Sequence, residues 1–379
     1  MRIVIAPDSF KGCKSATQVA LAISEGVRRI LPDAKITCIP MADGGEGTVE
    51  AIVMATGGRI IPVQSVDALG RPIQSFYGVL CNGITAVIEM AAASGIELLK
   101  PEERNPLLTS TFGTGLLLKA VMEAGFTEII IGIGGSATND GGAGMAQALG
   151  FGLLDKNGKP IGRGGGSLNN LHSIDRSRVD PLLGKVKITI ASDVRNPLLG
   201  PSGATRIYGP QKGATPEMLE ILEANLSHFS HILQNEFGVN FADFSGAGAA
   251  GGLGGGMMAF CSAEMASGFE LINKLTRLED HISKASLVFT AEGKIDSQTA
   301  YGKTVSGVAQ LAKKYRVPVI ALAAIVTDDV TELYKQGITS VFAIADRPMS
   351  IEESKSRTTE LLAATSERIM RLYTGFKCK

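Results

Sequence analysis

Apolar and polar positions at the start of the chain follow the pattern of βα units. Short apolar runs at 3–6 and 36–39 have the length of buried strands. After the first run, Ser15 opens a helical pattern that stops before Pro32, and residues 48–55 form a second one. The first sixty residues therefore predict two βα units.

The last hundred residues repeat this pattern three times. Apolar runs at 287–290, 317–322 and 340–343 alternate with helical patterns near 299–314, 329–335 and 351–373. Such alternation favours parallel strands in an open α/β sheet. We predict one discontinuous α/β domain, built from residues 1–60 plus 286–379, with a second domain of residues 61–285 inserted in its middle.

The predicted inserted domain has a different pattern. Strand-like runs occur at 76–80, 86–90, 128–133 and 187–191, and a long amphipathic helix is predicted near 217–235. Glycine-rich stretches at 132–144, 162–166 and 246–256 interrupt them. We therefore expect a mixed α/β domain whose loops bring the backbone close to other groups.

Composition narrows the function classes. Hydrophobic residues make up 45% of the 379 positions, which excludes global disorder. The 37 Lys and Arg balance the 37 Asp and Glu, which argues against nucleic acid or an anionic membrane as partner. Glycine, at 46 residues, is about 12% of the chain against roughly 7% on average.

The cysteines and apolar runs indicate a compartment. Five widely spaced cysteines without a CxxC pair, and only four histidines, argue against a disulfide framework or a zinc site. Cys13 is better explained as a small loop residue than as a reactive thiol. No apolar run reaches the ~20 residues of a membrane span. We expect a reduced, soluble, cytoplasmic protein with no membrane partner.

Two polar loops directly follow the first two predicted strands. Asp8 and Lys11 follow the first strand, where an open α/β sheet binds its ligands. Asp8 suits a metal and Lys11 a phosphate, although a plain solvated loop is the alternative. After the second strand, Asp43 precedes a glycine-rich turn ahead of a helix start, which favours phosphate or metal binding over a mere tight turn. The glycines of that turn are Gly44, Gly45 and Gly47.

The stretch 132–137 fits the dinucleotide pattern G-x-G-x-x-A, and Asp155 lies about twenty residues further on. The match is weak, because residues 136–140 prolong a polar loop where a nicotinamide site needs a helix. Residues 246–251 match the same pattern without a convincing strand before them. Two matches in so glycine-rich a chain are close to chance.

Two further predicted strands are each followed by acidic and basic residues close together in the chain. Asp193 and Arg195 follow the strand at 187–191, where a metal or base role beside an anion contact competes with a surface ion pair. After the strand at 287–290 come Glu292, Lys294 and Asp296. Residues 302–304 end like a Walker A loop, but position 297 is Ser, so no P-loop is present. Loops of this chemistry are what phosphoryl transfer requires.

Seven collinear blocks closely resemble the bacterial class I glycerate kinases. They are APDSFKG (6–12), MADGGEGT (41–48), GIGGSATNDGG (132–142), SDVRNPLLGPSGA (192–204), YGPQKGA (208–214), AAGGLGGG (249–256) and EGKIDSQTAYGKT (292–304). One departure is Ala291, where the family often has Gly. The resemblance implies a flavodoxin-like domain from both chain ends with an inserted α/β domain, and ATP- and Mg²⁺-dependent phosphorylation of D-glycerate, with 2-phosphoglycerate as the favoured product.

The roles that follow are hypotheses, set in a crevice between the domains that is expected to close. Lys11 is predicted as catalytic, Asp193 or Asp296 as the proton acceptor, and Asp8, Asp43 or Asp193 as the Mg²⁺ ligand. Phosphate or nucleotide would be bound by Gly44, Gly45, Gly47, Glu292, Gly293 and Lys294. The substrate would be bound by Arg71 or Arg195 at its carboxylate, with Ser136 and Asn139 nearby.

Two other function classes remain open from the sequence. An NAD-dependent hydroxy-acid oxidoreductase would rest on residues 132–137. A non-catalytic sugar-acid binding protein would bind glycerate without consuming ATP. The sequence does not determine the oligomeric state.

Overall fold

A computed structural model describes residues 1–42, 44–297, 299, 304–327 and 329–377. Its strands are β1 (Arg2–Ile5), β2 (Lys35–Cys38), β3 (Arg59–Val66), β4 (Pro72–Val79), β5 (Thr85–Glu89), β6 (Glu128–Gly132), β7 (Gly152–Leu154), β8 (Ser173–Asp175), β9 (Lys187–Ala191), β10 (Glu264–Ala266), β11 (Leu287–Ile295), β12 (Val319–Val326) and β13 (Ser340–Ala343).

The α-helices are α1 (Ala16–Arg28), α2 (Thr48–Thr56), α3 (Ala91–Ser94), α4 (Phe112–Glu123), α5 (Ala143–Ala148), α6 (Ala204–Tyr208), α7 (Pro216–Phe237), α8 (Leu253–Cys261), α9 (Gly268–Thr276), α10 (Leu278–Ile282), α11 (Thr304–Lys314), α12 (Thr331–Gln336) and α13 (Ile351–Lys377). Short 3-10 helices lie at Ile96–Leu98, Pro101–Glu103, Gly165–Asn170, Pro181–Lys185, Pro210–Lys212 and Phe241–Asp243.

The chain divides into two compact units. Unit 1 comprises Met1–Asp43, Glu50–Gly57 and Phe269–Lys379, and unit 2 comprises Gly44–Val49 and Gly58–Gly268. The boundaries predicted from the sequence, after residues 60 and 285, stay a prediction.

The described residues of unit 1 form a five-stranded parallel sheet in the order β13-β12-β11-β1-β2. Counted along this unit, the order is that of flavodoxin-like sheets, in which ligands bind where the chain reverses direction, beside the first strand. Here that point is the pair β1 and β11, which align Ile5 with Phe289. The predicted discontinuous parallel-sheet domain is therefore confirmed.

Successive side chains along each strand point to opposite faces of the sheet of unit 1, and both faces are buried. Ile5 and Phe289 belong to the core that also contains Ile23 of α1 and Leu362 of α13. Residues of the opposite parity, such as Val288, face the other side and are also fully buried. Helix α1 begins with a capping box, because the Ser15 hydroxyl accepts the Gln18 amide and the Gln18 side chain accepts the Ser15 amide.

Unit 2 is a mixed α/β domain, as predicted for the inserted domain, and its main sheet contains both parallel and antiparallel strands. Its described strands lie in the order β10-β9-β6-β5-β4-β3, with β10, β9, β6 and β5 parallel and β4 and β3 forming an antiparallel edge. Strands β7 and β8 form a separate two-stranded antiparallel ribbon. The carboxyl ends of the four parallel strands meet at one edge, which we call the acceptor edge, formed by residues 89–90, 132–136, 191–193 and 266–268.

Among the residues that the structure describes, no helix is both long and apolar enough to cross a membrane.

Candidate functional site

A cavity of about 640 Å³ opens in unit 1 at the carboxyl ends of its strands. It is lined by the loop after β1, the end of β11, β12, the loop after β13 and the first turns of α13. Its lining combines carboxylates (Asp8, Glu292), cations (Lys11, Lys294, Arg347, Lys355) and apolar side chains (Phe10, Ile325, Met349). This size and mixture are typical of small-molecule and cofactor sites.

The loop after β1 is fixed by hydrogen bonds to the backbone and a side chain of β11. The Asp8 amide donates to the Ala291 carbonyl at 2.8 Å, and the Thr290 hydroxyl donates to the Ala6 carbonyl at 2.9 Å. The Asp8 side chain is 8% exposed, and its Oδ1 accepts the Ser9 amide at 2.6 Å. Asp8 and Lys11 are thus brought to one wall of the cavity, as the sequence predicted.

The end of β11 contributes the second wall of the cavity. Glu292, Gly293 and Lys294 line it, and the Lys294 Nζ lies 2.9 Å from the Asp296 Oδ2. The Asp296 amide donates to the Thr299 hydroxyl at 3.1 Å. Of the six predicted site residues of unit 1 that the structure describes, five therefore line one cavity, and the sixth, Asp296, is ion-paired to one of them.

In unit 2 the Gly44–Gly47 turn lies against the acceptor edge. The Gly134 amide donates to the Gly44 carbonyl at 2.9 Å. Gly44 has φ +88°, and a Cβ there would stand 2.1 Å from the Ala191 carbonyl oxygen. Only glycine fits this left-handed, tightly packed position, so the glycine-rich turn is built for contact with the ends of β6 and β9.

The side chain of Glu89, at the end of β5, reaches the first turn of α2, which directly follows this turn. Its side chain is buried, and its Oε2 accepts the Val49 amide at 3.1 Å, with further backbone hydrogen bonds from Gly47 and Thr48. Burial raises the pKa of Glu89 to about 7 against the opposing effect of these amides. The Gly47 amide thus donates to a protein carboxylate here, and phosphate binding by Gly44, Gly45 and Gly47 stays a prediction.

Asp193 lies at the end of β9, on the same edge. Its Oδ1 accepts the Ser267 hydroxyl at 2.8 Å and the Gly268 amide at 3.2 Å, both just beyond β10. These bonds orient a carboxylate that is only partly buried. Arg195, two residues on, is exposed. The arrangement suits a carboxylate that takes up a proton from a bound hydroxyl.

Ser136 and Asn139 belong to the loop after β6. Ser136 is 8% exposed and is held beside Gly95, where the Ile96 amide donates to the Gly135 carbonyl at 2.9 Å. Asn139 is fully buried, and its Nδ2 donates to the Thr205 hydroxyl at 3.0 Å. Ser136 therefore lies on the acceptor edge, whereas Asn139 lies inside unit 2 in this structure; their substrate roles stay predictions.

Arg71 lies in the turn between β3 and β4. Its guanidinium contacts the Asp67 Oδ2 at 2.5 Å and the Glu103 Oε1 at 2.7 Å, and both carboxylates raise its pKa. Asp67 also accepts the Leu69 and Arg71 amides, so it closes the turn. Arg71 is engaged with two acids of its own chain, and its role as a carboxylate-binding residue stays a prediction.

A buried cation lies beneath the loop after β6. Lys212 is 1% exposed, and its Nζ donates to the Thr138 carbonyl at 2.6 Å. Burial lowers the pKa of Lys212 to about 7, although the charge of the fully buried Asp140 opposes this. Asp140 accepts the Thr111 amide at 2.8 Å and the Gly144 amide at 3.2 Å. Burial also raises the pKa of Asp140, so a lysine and an aspartate are both buried around this loop in surroundings that favour their neutral forms.

Asp43, predicted as a metal ligand, lies outside the described residues. Within the described part of the chain, no group of three or more His, Cys, Asp or Glu side chains is placed to hold a metal ion.

The sequence reasoning missed Glu89, Lys212, Arg347 and Lys355. Glu89 ends an apolar run as a lone carboxylate, which is a usable signal for the end of a buried strand. Lys212 lies in one of the blocks used for the family resemblance, but its burial depends on residues far away in the chain. Arg347 and Lys355 reach the cavity only through the path of β13 into α13.

Fold and site together define an α/β enzyme with acidic, basic and glycine-rich loops at the carboxyl ends of parallel strands. Residues 3–374 match the model of the glycerate kinase family. The chain belongs to this family, so the predicted enzyme class, a kinase of the glycerate kinase type, is confirmed.

Relatives and a solved structure agree with this assignment. The chain is 51% identical over 354 residues to the "Glycerate 2-kinase" of Escherichia coli (strain K12), covering 93% of both chains. It is 48% identical over 369 residues to the "Glycerate kinase" of Bacillus subtilis (strain 168), covering 97% of both. A crystal structure from Salmonella typhimurium LT2, named for glycerate kinase 2, has a TM-score of 0.87, 45% identity and full coverage of both chains.

Proposed function

We propose that this enzyme transfers the γ-phosphoryl group of ATP to the 2-hydroxyl of D-glycerate, giving ADP and 2-phosphoglycerate in the cytoplasm. Membership of the glycerate kinase family supports the acceptor. The relative from Escherichia coli that is named a glycerate 2-kinase supports the 2-position. The crevice between the domains, where catalysis was placed from the sequence, stays a prediction.

The observation that carries the nucleotide assignment is the cavity of unit 1. Its volume of about 640 Å³ suits a nucleoside triphosphate, and it lies where flavodoxin-like sheets bind nucleotides. Apolar side chains such as Ile325 and Met349 offer a surface for the base, and Lys11, Lys294 and Lys355 offer positive charge for the phosphates.

The donor groups fit Mg²⁺. Kinases usually hold this ion with one or two carboxylates, nucleotide phosphate oxygens and water, so a cage of protein ligands is not required. Asp8 and Glu292 supply carboxylates in the same cavity as the cations. When bound there, Mg²⁺ would neutralise phosphate charge during transfer.

The acceptor edge of unit 2 provides the groups for glycerate. Asp193, oriented by Ser267 and Gly268, takes the proton of the attacking 2-hydroxyl. As the new oxygen–phosphorus bond forms, the bond between the γ-phosphorus and the bridging oxygen breaks, and its electron pair leaves with ADP. Exposed Arg195, close to Asp193 in the chain, would pair with the substrate carboxylate.

An ADP-release assay with purified protein, ATP, Mg²⁺ and D-glycerate tests this function. We expect ADP release that depends on both D-glycerate and Mg²⁺ and is matched by one phosphoglycerate per ADP. Calorimetric binding of glycerate without any ADP release would instead support a binding protein. NADH oxidation with hydroxy acids in the absence of ATP would support an oxidoreductase.

The identity of the product shows which hydroxyl of D-glycerate is phosphorylated. Enolase consumes 2-phosphoglycerate directly, whereas 3-phosphoglycerate first requires a mutase. We expect enolase alone to convert the product, and ³¹P and ¹³C NMR to place the phosphate on C2. A product that needs the mutase would contradict transfer to the 2-hydroxyl.

A further inference from the structure

Glu89 is a buried carboxylate whose hydrogen-bond partners lie about forty residues earlier in the chain. It ends β5, and its side chain is only 3% exposed. Its Oε2 accepts the Val49 amide at 3.1 Å, and the Gly47 and Thr48 amides also donate to it. A carboxylate at the first turn of a helix interacts favourably with the amides left unpaired there.

The Gly47 amide belongs to the glycine-rich turn that faces the acceptor edge, and Thr48 and Val49 are the first residues of α2, directly after this turn. On its amino-terminal side the turn is fixed because the Gly44 carbonyl accepts the Gly134 amide at 2.9 Å. On its carboxyl-terminal side the Thr48 hydroxyl donates to the Gly45 carbonyl at 2.7 Å, which closes the turn on itself. Glu89 supplies the remaining anchor, which ties the first turn of α2 to the end of β5.

We propose that Glu89 is a positioning residue for phosphoryl transfer: in its ionised form it fixes the Gly44–Gly47 turn against the acceptor edge, where the turn helps to align the reacting groups. The proposal rests on the proposed kinase function. Glu89 need not touch either substrate, because it acts through the backbone that it holds.

The charge of Glu89 matters for this role. An ionised carboxylate offers acceptors only and makes stronger hydrogen bonds to amides than a neutral acid does. Burial raises the pKa of Glu89 to about 7, and Glu46 on the same turn is the ionisable neighbour that also raises it. The amides favour the ionised form, so their hydrogen bonds to Glu89 are expected to strengthen as it ionises between pH 6 and pH 8, although burying its charge lowers the stability of the fold over the same range.

The test compares Glu89→Gln with wild type and with Glu128→Gln. The Gln side chain keeps the size of Glu89 but replaces one acceptor oxygen with a donor and cannot ionise. Glu128 begins β6, at the opposite end of the sheet, and its carboxylate accepts the Thr85 hydroxyl at 2.7 Å. Glu128→Gln is therefore the control, because it makes the same chemical change at a site away from the turn.

We expect Glu89→Gln to lower kcat about 10- to 100-fold at pH 8, the scale of a small misalignment of reacting groups, with both KM values within about three-fold of wild type. The ratio of wild-type to Glu89→Gln kcat should fall by about five-fold or more between pH 8 and pH 6, because protonated Glu89 resembles Gln. Taking the ratio cancels titration of ATP and of other groups. Glu128→Gln should follow wild type at both pH values.

A kcat ratio that stays constant from pH 6 to pH 8 would overturn the proposal, as would wild-type turnover by Glu89→Gln at pH 8. Should Glu89→Gln fail to fold, an NMR titration of the wild-type protein takes its place. The Val49 amide proton should shift downfield between pH 6 and pH 8, because the carboxylate that accepts it gains charge, and an unchanged shift would overturn the proposal.

The proposed function and this proposal fail in different ways. If wild-type protein releases no ADP with D-glycerate, the proposed function is wrong, whereas the NMR titration still reports on Glu89 and its amides. If wild type and Glu89→Gln are equally active at pH 8, the kinase function stands and the positioning role is wrong.

Discussion

Lys212 donates from its Nζ to the Thr138 carbonyl at 2.6 Å while its side chain is almost completely buried. A lysine rarely occupies such a position, because removing its charge from water is costly. Burial lowers the pKa of Lys212 to about 7, and nearby Asp140 opposes the shift. The neutral amine can still donate to Thr138, so the hydrogen bond does not require the charge.

Lys212 should make the stability of the protein depend on pH. Between pH 7 and 9 the unfolded chain keeps the lysine proton and the folded one loses it, so wild-type stability should rise relative to Lys212→Met by about 1.4 kcal/mol per pH unit. The contribution is largest at high pH and is lost as the pH falls through about 7. Chemical denaturation at several pH values measures the difference, and a pH-independent difference would show that Lys212 titrates normally.

Glu89 should have the opposite effect on stability. Its folded-state pKa of about 7 lies above the ordinary value of 4.5, so its contribution is present below pH 4.5 and lost as the pH rises through 7. Glu89→Gln avoids burying the charge, so it should gain stability relative to wild type by up to about 3 kcal/mol between pH 5 and pH 8. Thermal and urea unfolding would test this; a variant that instead loses stability toward pH 8 contradicts the raised pKa.

How far the sequence predicts the fold depends on whether a signal is local. Ser15, with Gln18 three residues later, forms the capping box that starts α1, and both residues are visible in the sequence. Strand β11 continues to Ile295, five residues beyond its predicted end, because Lys294 and Ile295 pair with Ile325 and Val326 of β12. Strand β3 was not predicted, since Pro62 interrupts its pattern and is tolerated there because β3 is an edge strand.

The residues of the candidate site also differ in whether a local sequence pattern predicts them. Asp8 and Asp193 follow within three residues of a strand and Glu292 lies in the carboxyl-terminal half of β11, so a local pattern was enough to place them at sheet edges. Glu89 and Lys212 owe their unusual pKa values to burial by segments about forty and seventy residues away, and no local pattern carries that information. Arg71 has the right chemistry for a substrate carboxylate, but the Asp67 and Glu103 carboxylates that engage it become visible only in the structure.

Gly134 should not tolerate a side chain. A Cβ at this position would stand 2.7 Å from the Gly45 Cα and 2.9 Å from the Gly45 nitrogen, both backbone atoms that cannot yield cheaply. We expect Gly134→Ala to displace the Gly44–Gly47 turn and to lower kcat at least ~10-fold. Gly184→Ala, where a Cβ meets nothing within 4 Å, is the matched control and should keep wild-type activity. Full activity in Gly134→Ala would show that the position of the turn does not matter.

Lys294 should contribute to nucleotide binding. It lines the cavity of unit 1 and pairs with Asp296 at 2.9 Å, so Lys294→Met should raise the KM for ATP about 10-fold, the scale of one lost charged contact. The KM for D-glycerate should stay within two-fold. Lys314 is equally exposed and pairs with Glu279 at 2.6 Å, which makes Lys314→Met the control. Steady-state kinetics with each substrate varied tests this; an equal rise in both KM values would remove Lys294 from the nucleotide site.

Asp193 should be essential for turnover but not for folding. Asp193→Asn keeps the shape of the side chain and an oxygen that can accept from Ser267 and Gly268, yet it cannot take up the hydroxyl proton. We expect kcat to fall at least ~10²-fold, the scale of one lost acid–base group, with thermal unfolding close to wild type. Asp175 provides a matched control, because its carboxylate also accepts a serine hydroxyl (2.9 Å) and a backbone amide (2.8 Å), both of Ser177. Asp175→Asn should keep wild-type kcat, and comparable turnover by the two variants would exclude Asp193 as the base.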